Sequence, residues 1–88
     1  MTVAFKASFN HDLEAITDSR LLRRVESVIK ALEEADSLAG FPQLKRLKGY
    51  SASYRVRIGD FRMGLYVTGE CVNCVSFLHR REIYRYFP

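Results

Sequence analysis

Tyr54–Tyr66 reads YRVRIGDFRMGLY, and residues alternate in character on both sides of Gly59-Asp60. That dipeptide suits a two-residue hairpin turn of the primed types. Folding the stretch about it sets Ile58 opposite Phe61, Arg57 opposite Arg62 and Val56 opposite Met63. Arg55 then faces Gly64, and Tyr54 faces Leu65. Because side chains alternate across a strand, Tyr54, Val56, Ile58, Phe61, Met63 and Leu65 share one face. That face is a core.

The opposite face carries Arg55, Arg57, Arg62, Gly64 and Tyr66. Like charges directly across a sheet are destabilising, and only Asp60, at the turn, offsets three guanidinium groups. A solvated outer face is one reading. The sharper one is an anion site on rigid strands, because arginine makes bidentate contacts to phosphate. Gly64 leaves space beside Arg55 for something to approach the sheet.

Working outward, the 88 residues make a single domain, 1–88, able to bury ~60–65% of the unfolded surface. With 48% hydrophobic residues, a core forms without disulfides or metal. No apolar run approaches the ~18 residues that span a bilayer. The start, MTVAFKASFNHD, lacks the pattern of a secretory signal, which predicts a cytoplasmic protein with no membrane partner. Charge is polarised along the chain. Residues 1–44 hold five basic and seven acidic side chains (−2), and residues 45–88 hold nine and three (+6). A basic half of this kind suits a polyanion such as nucleic acid, or an acidic protein.

Val3 to Phe9 alternates as a first strand, and Asn10 is placed to cap a short helix over His11 to Ile16. Thr17-Asp18-Ser19 offers the next cap, and a long helix runs from about Arg20 to Leu38. Its stripe is Leu21, Leu22, Val25, Val28, Ile29, Leu32 and Ala35, with Gly40 and Pro42 as terminators. These two helices would act as scaffold, covering the apolar hairpin face and leaving the arginines open. In LKRLKGY, Leu44 and Leu47 dock inward while Lys45, Arg46 and Lys48 face water. The last strand, Val72 to Leu78, follows a turn at Thr68-Gly69-Glu70. A three-residue loop, Gly69 to Cys71, would bury Val75 and Phe77 and set Cys74, Ser76 and Arg80 beside the arginines. A two-residue loop would reverse the faces, and the first is preferred because it buries the larger apolar side chains. The basic, aromatic tail HRREIYRYFP closes the chain.

The predicted fold class is α+β: a small single domain with an N-terminal strand and two helices on one face of an antiparallel sheet. Its three C-terminal strands form a meander. Cys71 and Cys74 make a C-x-x-C, but in a turn and a strand rather than at a helix N-terminus, where thiol pKa values fall. Zinc would need two further ligands with suitable spacing, so no metal or other cofactor is expected. The basic half offers only Asp60, Glu70 and Glu82, too few well-placed carboxylates for a two-metal nuclease.

Leu47-Lys48-Gly49, the Tyr54–Arg62 block YRVRIGDFR, and His79-Arg80 with Glu82-Ile83-Tyr84 together resemble the RelE group of the RelE/ParE toxin superfamily. The resemblance spans essentially the whole chain. It implies the toxin of a toxin–antitoxin pair: a ribosome-dependent, metal-independent endoribonuclease that cleaves mRNA and thereby inhibits translation. It also implies a cognate acidic, RelB-like antitoxin in a heteromeric complex, with mRNA and rRNA as further partners. Carried over by motif, Arg55, Arg57, Arg62, Arg80 and Tyr84 are the catalytic positions, with His79 beside them. Lys45, Lys48, Arg81 and Arg85 would contact RNA on the ribosome. The best-known members have lysines where Arg55 and Arg57 stand, and arginine stays protonated. The base for the ribose 2′-OH then falls to His79, Tyr84, Lys45 or Lys48. ParE-like inhibition of DNA gyrase and a catalytically inactive RNA-binding module remain open as alternatives.

Overall fold

A computed structural model describes all residues, Met1–Pro88. The elements are β1 (Thr2–Phe5), α1 (Ala7–Glu14), α2 (Ser19–Glu34), β2 (Leu44–Arg46), β3 (Ser53–Ile58), β4 (Phe61–Thr68), β5 (Cys71–His79) and α3 (Arg80–Tyr86). The sheet order is β1-β5-β4-β3-β2, with β1 parallel to β5 and the remaining pairs antiparallel. The α+β architecture and the C-terminal meander stand. Added to them are the edge strand β2, the third helix and the parallel pairing of β1.

The hairpin has the register its alternation requires, from Ile58↔Phe61 to Tyr54↔Leu65, and Gly59 takes the left-handed φ of 60° that the turn needs. Its apolar face joins a ten-residue core of Phe9, Val25, Leu32, Val56, Ile58, Met63, Leu65, Val72, Cys74 and Phe77.

Three expectations are corrected here. The first strand stops at Phe5 instead of Phe9, and Asn10 lies inside α1 rather than capping it. Beyond Cys74 the outer edge of β5 has no strand partner, and α1 supplies one through its side chains. Ser8 Oγ donates to the Val75 carbonyl, and Asp12 Oδ2 accepts from the Phe77 amide at 2.9 Å. Phe9 and Leu13, four residues apart, then pack one helical face on the sheet.

The second correction concerns α2, which Asp18 caps through bonds to the Arg20 and Leu21 amides at 2.9 and 3.3 Å. It ends at Glu34, before Gly40 and Pro42 come into play. A distant group stops it: the Met1 nitrogen donates to the carbonyls of Leu32, Glu33 and Ala35, at 2.6–3.2 Å. Orphan carbonyls at a helix end need such partners, and no local spacing foretells one from Met1.

The third correction is the β4–β5 loop, which is Gly69-Glu70 alone, pairing Thr68 with Cys71. That register buries Cys74 in the core instead of beside the arginines. A bulge between Leu65↔Cys74 and Gly64↔Ser76 then inserts Val75 and restores Phe77 to the core face. Val75 points the other way and packs on a second, three-residue cluster of Leu47, Ile83 and Phe87.

Candidate functional site

The outer face of the sheet is divided between that small cluster and an open groove. α3 is capped by His79, whose Nδ1 accepts from the Arg81 amide at 3.2 Å, and it folds back across Gly64. A side chain at position 64 would meet Ser76 Oγ and come within 2.9 Å of the Phe87 ring. The space at Gly64 is therefore taken by the chain's own tail, and the outer face is not left wholly uncovered. Ile83 and Phe87 anchor the helix, and Tyr84 is turned out to solvent, 67% exposed.

What stays open is a hollow of about 360 Å³ lined by Gln43, Leu44, Lys45, Arg55, Arg57, Arg62 and Tyr84. Lys45 is the cross-strand neighbour of Arg55, and Arg57 that of Arg62, so two cationic rungs lie two residues apart, ~7 Å along the strands. The Arg55 guanidinium carbon sits 4.5 Å from the centroid of the Tyr84 ring, a cation–π contact, and its buried Nε has no acceptor. Arg62 Nη1 donates to the Gly59 and Phe61 carbonyls at 3.0 and 2.9 Å, which fixes its head at the turn. The lining contains four cations and no carboxylate. None of the arginines is ion-paired; the one side-chain ion pair within 4.0 Å is the exposed His11–Glu14. Such a surface binds anions and stabilises negative charge, and it has no donor set for a divalent metal.

Of the residues singled out in the sequence, Lys45, Arg55, Arg57, Arg62 and Tyr84 converge here. Arg80 lies in an adjoining hollow of about 400 Å³ that shares Gln43, Arg57 and Arg62 with the groove. Lys48 sits apart, in the β2–β3 turn, and Arg81 and Arg85 are on the solvent side of α3. His79 is not brought in. It pairs with Phe61 on the core side of the sheet and meets that ring edge-on at 5.6 Å. With Nδ1 accepting a bond, a neutral imidazole carries its proton on Nε2 and has no lone pair to offer.

Two contributors escaped the sequence reading. Gln43 borders both hollows, and at φ 61° it is the one non-glycine residue with a left-handed backbone. Its carbonyl accepts the Arg57 amide at 3.1 Å, which holds the rung in place. Only the preceding Pro42 hints at a turn there. Arg24, on α2, lines the second hollow, so α2 is more than scaffold. No local signal marks Arg24: it lies in the second turn of α2, beyond the reach of the helix dipole, and only the packing of α2 brings it to the hairpin turn.

A larger hollow, about 590 Å³, runs between α2 and β3 with Val28, Ala31, Phe41, Pro42, Val56 and Ile58 among its lining and arginines at its rim. Its lining is largely apolar, and neither Arg55 nor Tyr84 reaches it.

Residues 3–84 match the family described as ParE toxin of type II toxin-antitoxin system, parDE. The chain belongs to the RelE/ParE toxin superfamily. It is 34% identical over 89 residues to the toxin RelE3 of Methanocaldococcus jannaschii, covering 100% of both chains. It superimposes on the crystal structure of the RelB–RelE antitoxin–toxin complex from Methanococcus jannaschii with a TM-score of 0.82 and 32% identity, over 97% of this chain and 99% of that one. The YoeB–YefM complex from Staphylococcus aureus shares the fold at a TM-score of 0.71 and 14% identity, over 90% and 95% of the two chains. No helix of this superfamily member is long and apolar enough to cross a membrane.

Proposed function

We propose that this toxin cleaves mRNA on the ribosome by attack of a ribose 2′-OH on the adjacent phosphorus. The P–O5′ bond breaks, leaving a 2′,3′-cyclic phosphate and a 5′-OH, and translation stops. The observation that carries the reading is the set of unpaired cations, Lys45, Arg55, Arg57 and Arg62, converging with an exposed tyrosine in one groove without a carboxylate. Guanidinium groups on rigid strands stabilise the charge that grows on the phosphorus centre, and they do so without a metal ion. They do not move protons. Among the four residues weighed as base, Lys45 and Tyr84 line the groove, while His79 and Lys48 lie outside it. On this reading Lys45 or Tyr84 takes the 2′-OH proton, and the other returns one to the leaving 5′ oxygen.

The test is single-turnover cleavage on saturating programmed ribosomes. Arg62→Ala lowers the rate by ~10²–10³, the usual cost of one transition-state donor. Lys45→Arg and Tyr84→Phe separate charge and stacking from proton transfer, and loss of the true base costs ~10²–10⁴. If both keep full rate, neither is the base. A second reading, inhibition of DNA gyrase, draws on the match to the ParE family. Pulse labelling during expression separates the two. Early loss of amino-acid incorporation supports mRNA cleavage, and early loss of thymidine incorporation supports the gyrase reading.

The partner follows from the surface. The 590 Å³ trough, apolar within and rimmed by Arg20, Arg23, Arg24 and Arg57, suits an amphipathic acidic segment of a co-expressed antitoxin. Association steered by those charges slows steeply with added salt, and an association rate indifferent to ionic strength counts against it.

A further inference from the structure

We infer that the chain holds a second anion subsite beside the groove, centred on Arg24 and Arg80, which takes a neighbouring phosphate of the same polynucleotide. It rests on the nucleic-acid reading of the groove and extends it. Of these two hollows, Arg55 and Tyr84 line the first and Arg24 and Arg80 the second, while Arg57, Arg62 and Gln43 border both; Arg24 also stands at the rim of the trough between α2 and β3. The two hollows share a wall of three residues, so two successive phosphates of one strand would take one hollow each.

Three observations make the second hollow a binding site. Its lining has no hydrophobic residue, and four guanidinium groups (Arg24, Arg57, Arg62, Arg80) face a single carboxylate, Asp60, for a net charge of +3. None of the four is ion-paired. The framework is pinned: the Arg80 amide donates to the Asp60 carbonyl at 2.8 Å, and Arg62 Nη1 donates to the Gly59 carbonyl. Arg24 reaches in from α2 and lies against the turn, so that a Cβ on Gly59 would come within 3.0 Å of its Nη1. Four guanidinium groups gathered around one carboxylate, none of them ion-paired, point to an anionic partner outside the chain.

The experiment uses the full chain and two uncleavable 2′-deoxy oligonucleotide probes, one with a single internucleotide phosphate and one with two, titrated across a range of salt. Each phosphate neutralised on a single strand adds about 0.7 to the slope of log K against log salt. The wild type is expected to show a slope about 0.7 steeper for the two-phosphate probe. Arg24→Ala, a favourable exchange on a helix surface, brings that probe down to the single-phosphate slope, and Arg24→Lys restores it. Equal slopes for both probes in the wild type, no binding of either, or an equal loss for both in Arg24→Ala overturns the subsite. The last result would leave the cluster to an acidic protein segment. A wild type that shows the two slopes yet leaves ribosomal mRNA intact removes the cleavage reading and keeps the subsite.

Discussion

On one face of the sheet ten buried side chains close into a core under α1 and α2; on the other, three do so under α3 and the rest of the surface is left to cations. Both faces come from the same strands, residue by residue. Val56 and Ile58 go inward while Arg55 and Arg57 go outward, at a spacing that neither can escape. The difference teaches how the domain divides its work. Stability is concentrated on the face where apolar area is removed from water. The other face is covered just enough to fix Tyr84 over Arg55 and keep the rungs straight.

Two phenylalanines sharpen that comparison. Phe77 is 1% exposed, stacked on Phe61 with centroids 5.1 Å apart, and Phe87 is 5% exposed in the small cluster. Phe77→Ala is expected to cost ~3–5 kcal/mol, a large part of the stability of a domain this size. Phe87→Ala costs less, because α3 can loosen without opening the main core. Urea unfolding of the two variants checks the order. Equal losses would mean that the two faces form one cooperative unit.

Gly64→Ala probes the seam between them. The added methyl presses on Ser76 and the Phe87 ring, an overpacking worth ~1–3 kcal/mol. The tail is the element able to yield, so susceptibility of α3 to carboxypeptidase should rise while β3–β4 amide protection stays. Unchanged digestion would place the strain in the sheet.

Whatever obeyed a period was legible before any coordinates. The hairpin register, the stripe of α2 and the convergence of Arg55, Arg57 and Arg62 all follow from alternation about Gly59-Asp60. What stayed hidden depended on groups distant in the chain. Met1 ends α2, Ser8 and Asp12 replace a strand along β5, and a bulge shifts Val75 outward. The site follows the same division. Residues on paired strands were found, whereas Gln43, set by a left-handed backbone, and Arg24, delivered by helix packing, were not. His79 matched the motif, yet its strand position turns it to the core side.

Cys74 offers a smaller effect, confined to the core face. Burial, followed by the nearby Cys71, pushes its thiol from an ordinary 9.0 up to about 12. Between those values the folded chain keeps a proton that the unfolded chain has released, so stability falls as pH rises through this window and is unaffected below it. The slope is at most ~1.4 kcal/mol per pH unit. Urea midpoints for wild type and Cys74→Ala at several pH values should converge as pH rises from 9. A constant gap between the two would show that the thiol ionises without cost.

The smallest expected effect lies on the outer face and tests whether that face is built for stability at all. Tyr84 is exposed, and the Arg55 guanidinium carbon lies 4.5 Å from the centroid of its ring. An exposed cation–π pair is worth ~0.5–1 kcal/mol, so Tyr84→Ala should shift the unfolding midpoint little. Its neighbour on α3, Ile83, is fully buried, and Ile83→Ala should cost several times more, ~2–5 kcal/mol if the pocket cannot collapse. Activity should invert that order. Removing Tyr84 takes a ring from the groove and frees Arg55 to move, whereas the Ile83 side chain packs with Leu47 and Phe87 in the small cluster and does not line the groove. The pair is therefore measured twice, by urea unfolding and by ribosomal cleavage at a temperature where both variants remain folded. If Tyr84→Ala destabilises as much as Ile83→Ala, the tyrosine is a packing residue and the outer face is a second core. If it leaves stability intact and cleavage collapses, the two faces have separate tasks, and Arg55 depends on a ring that the fold itself does not need.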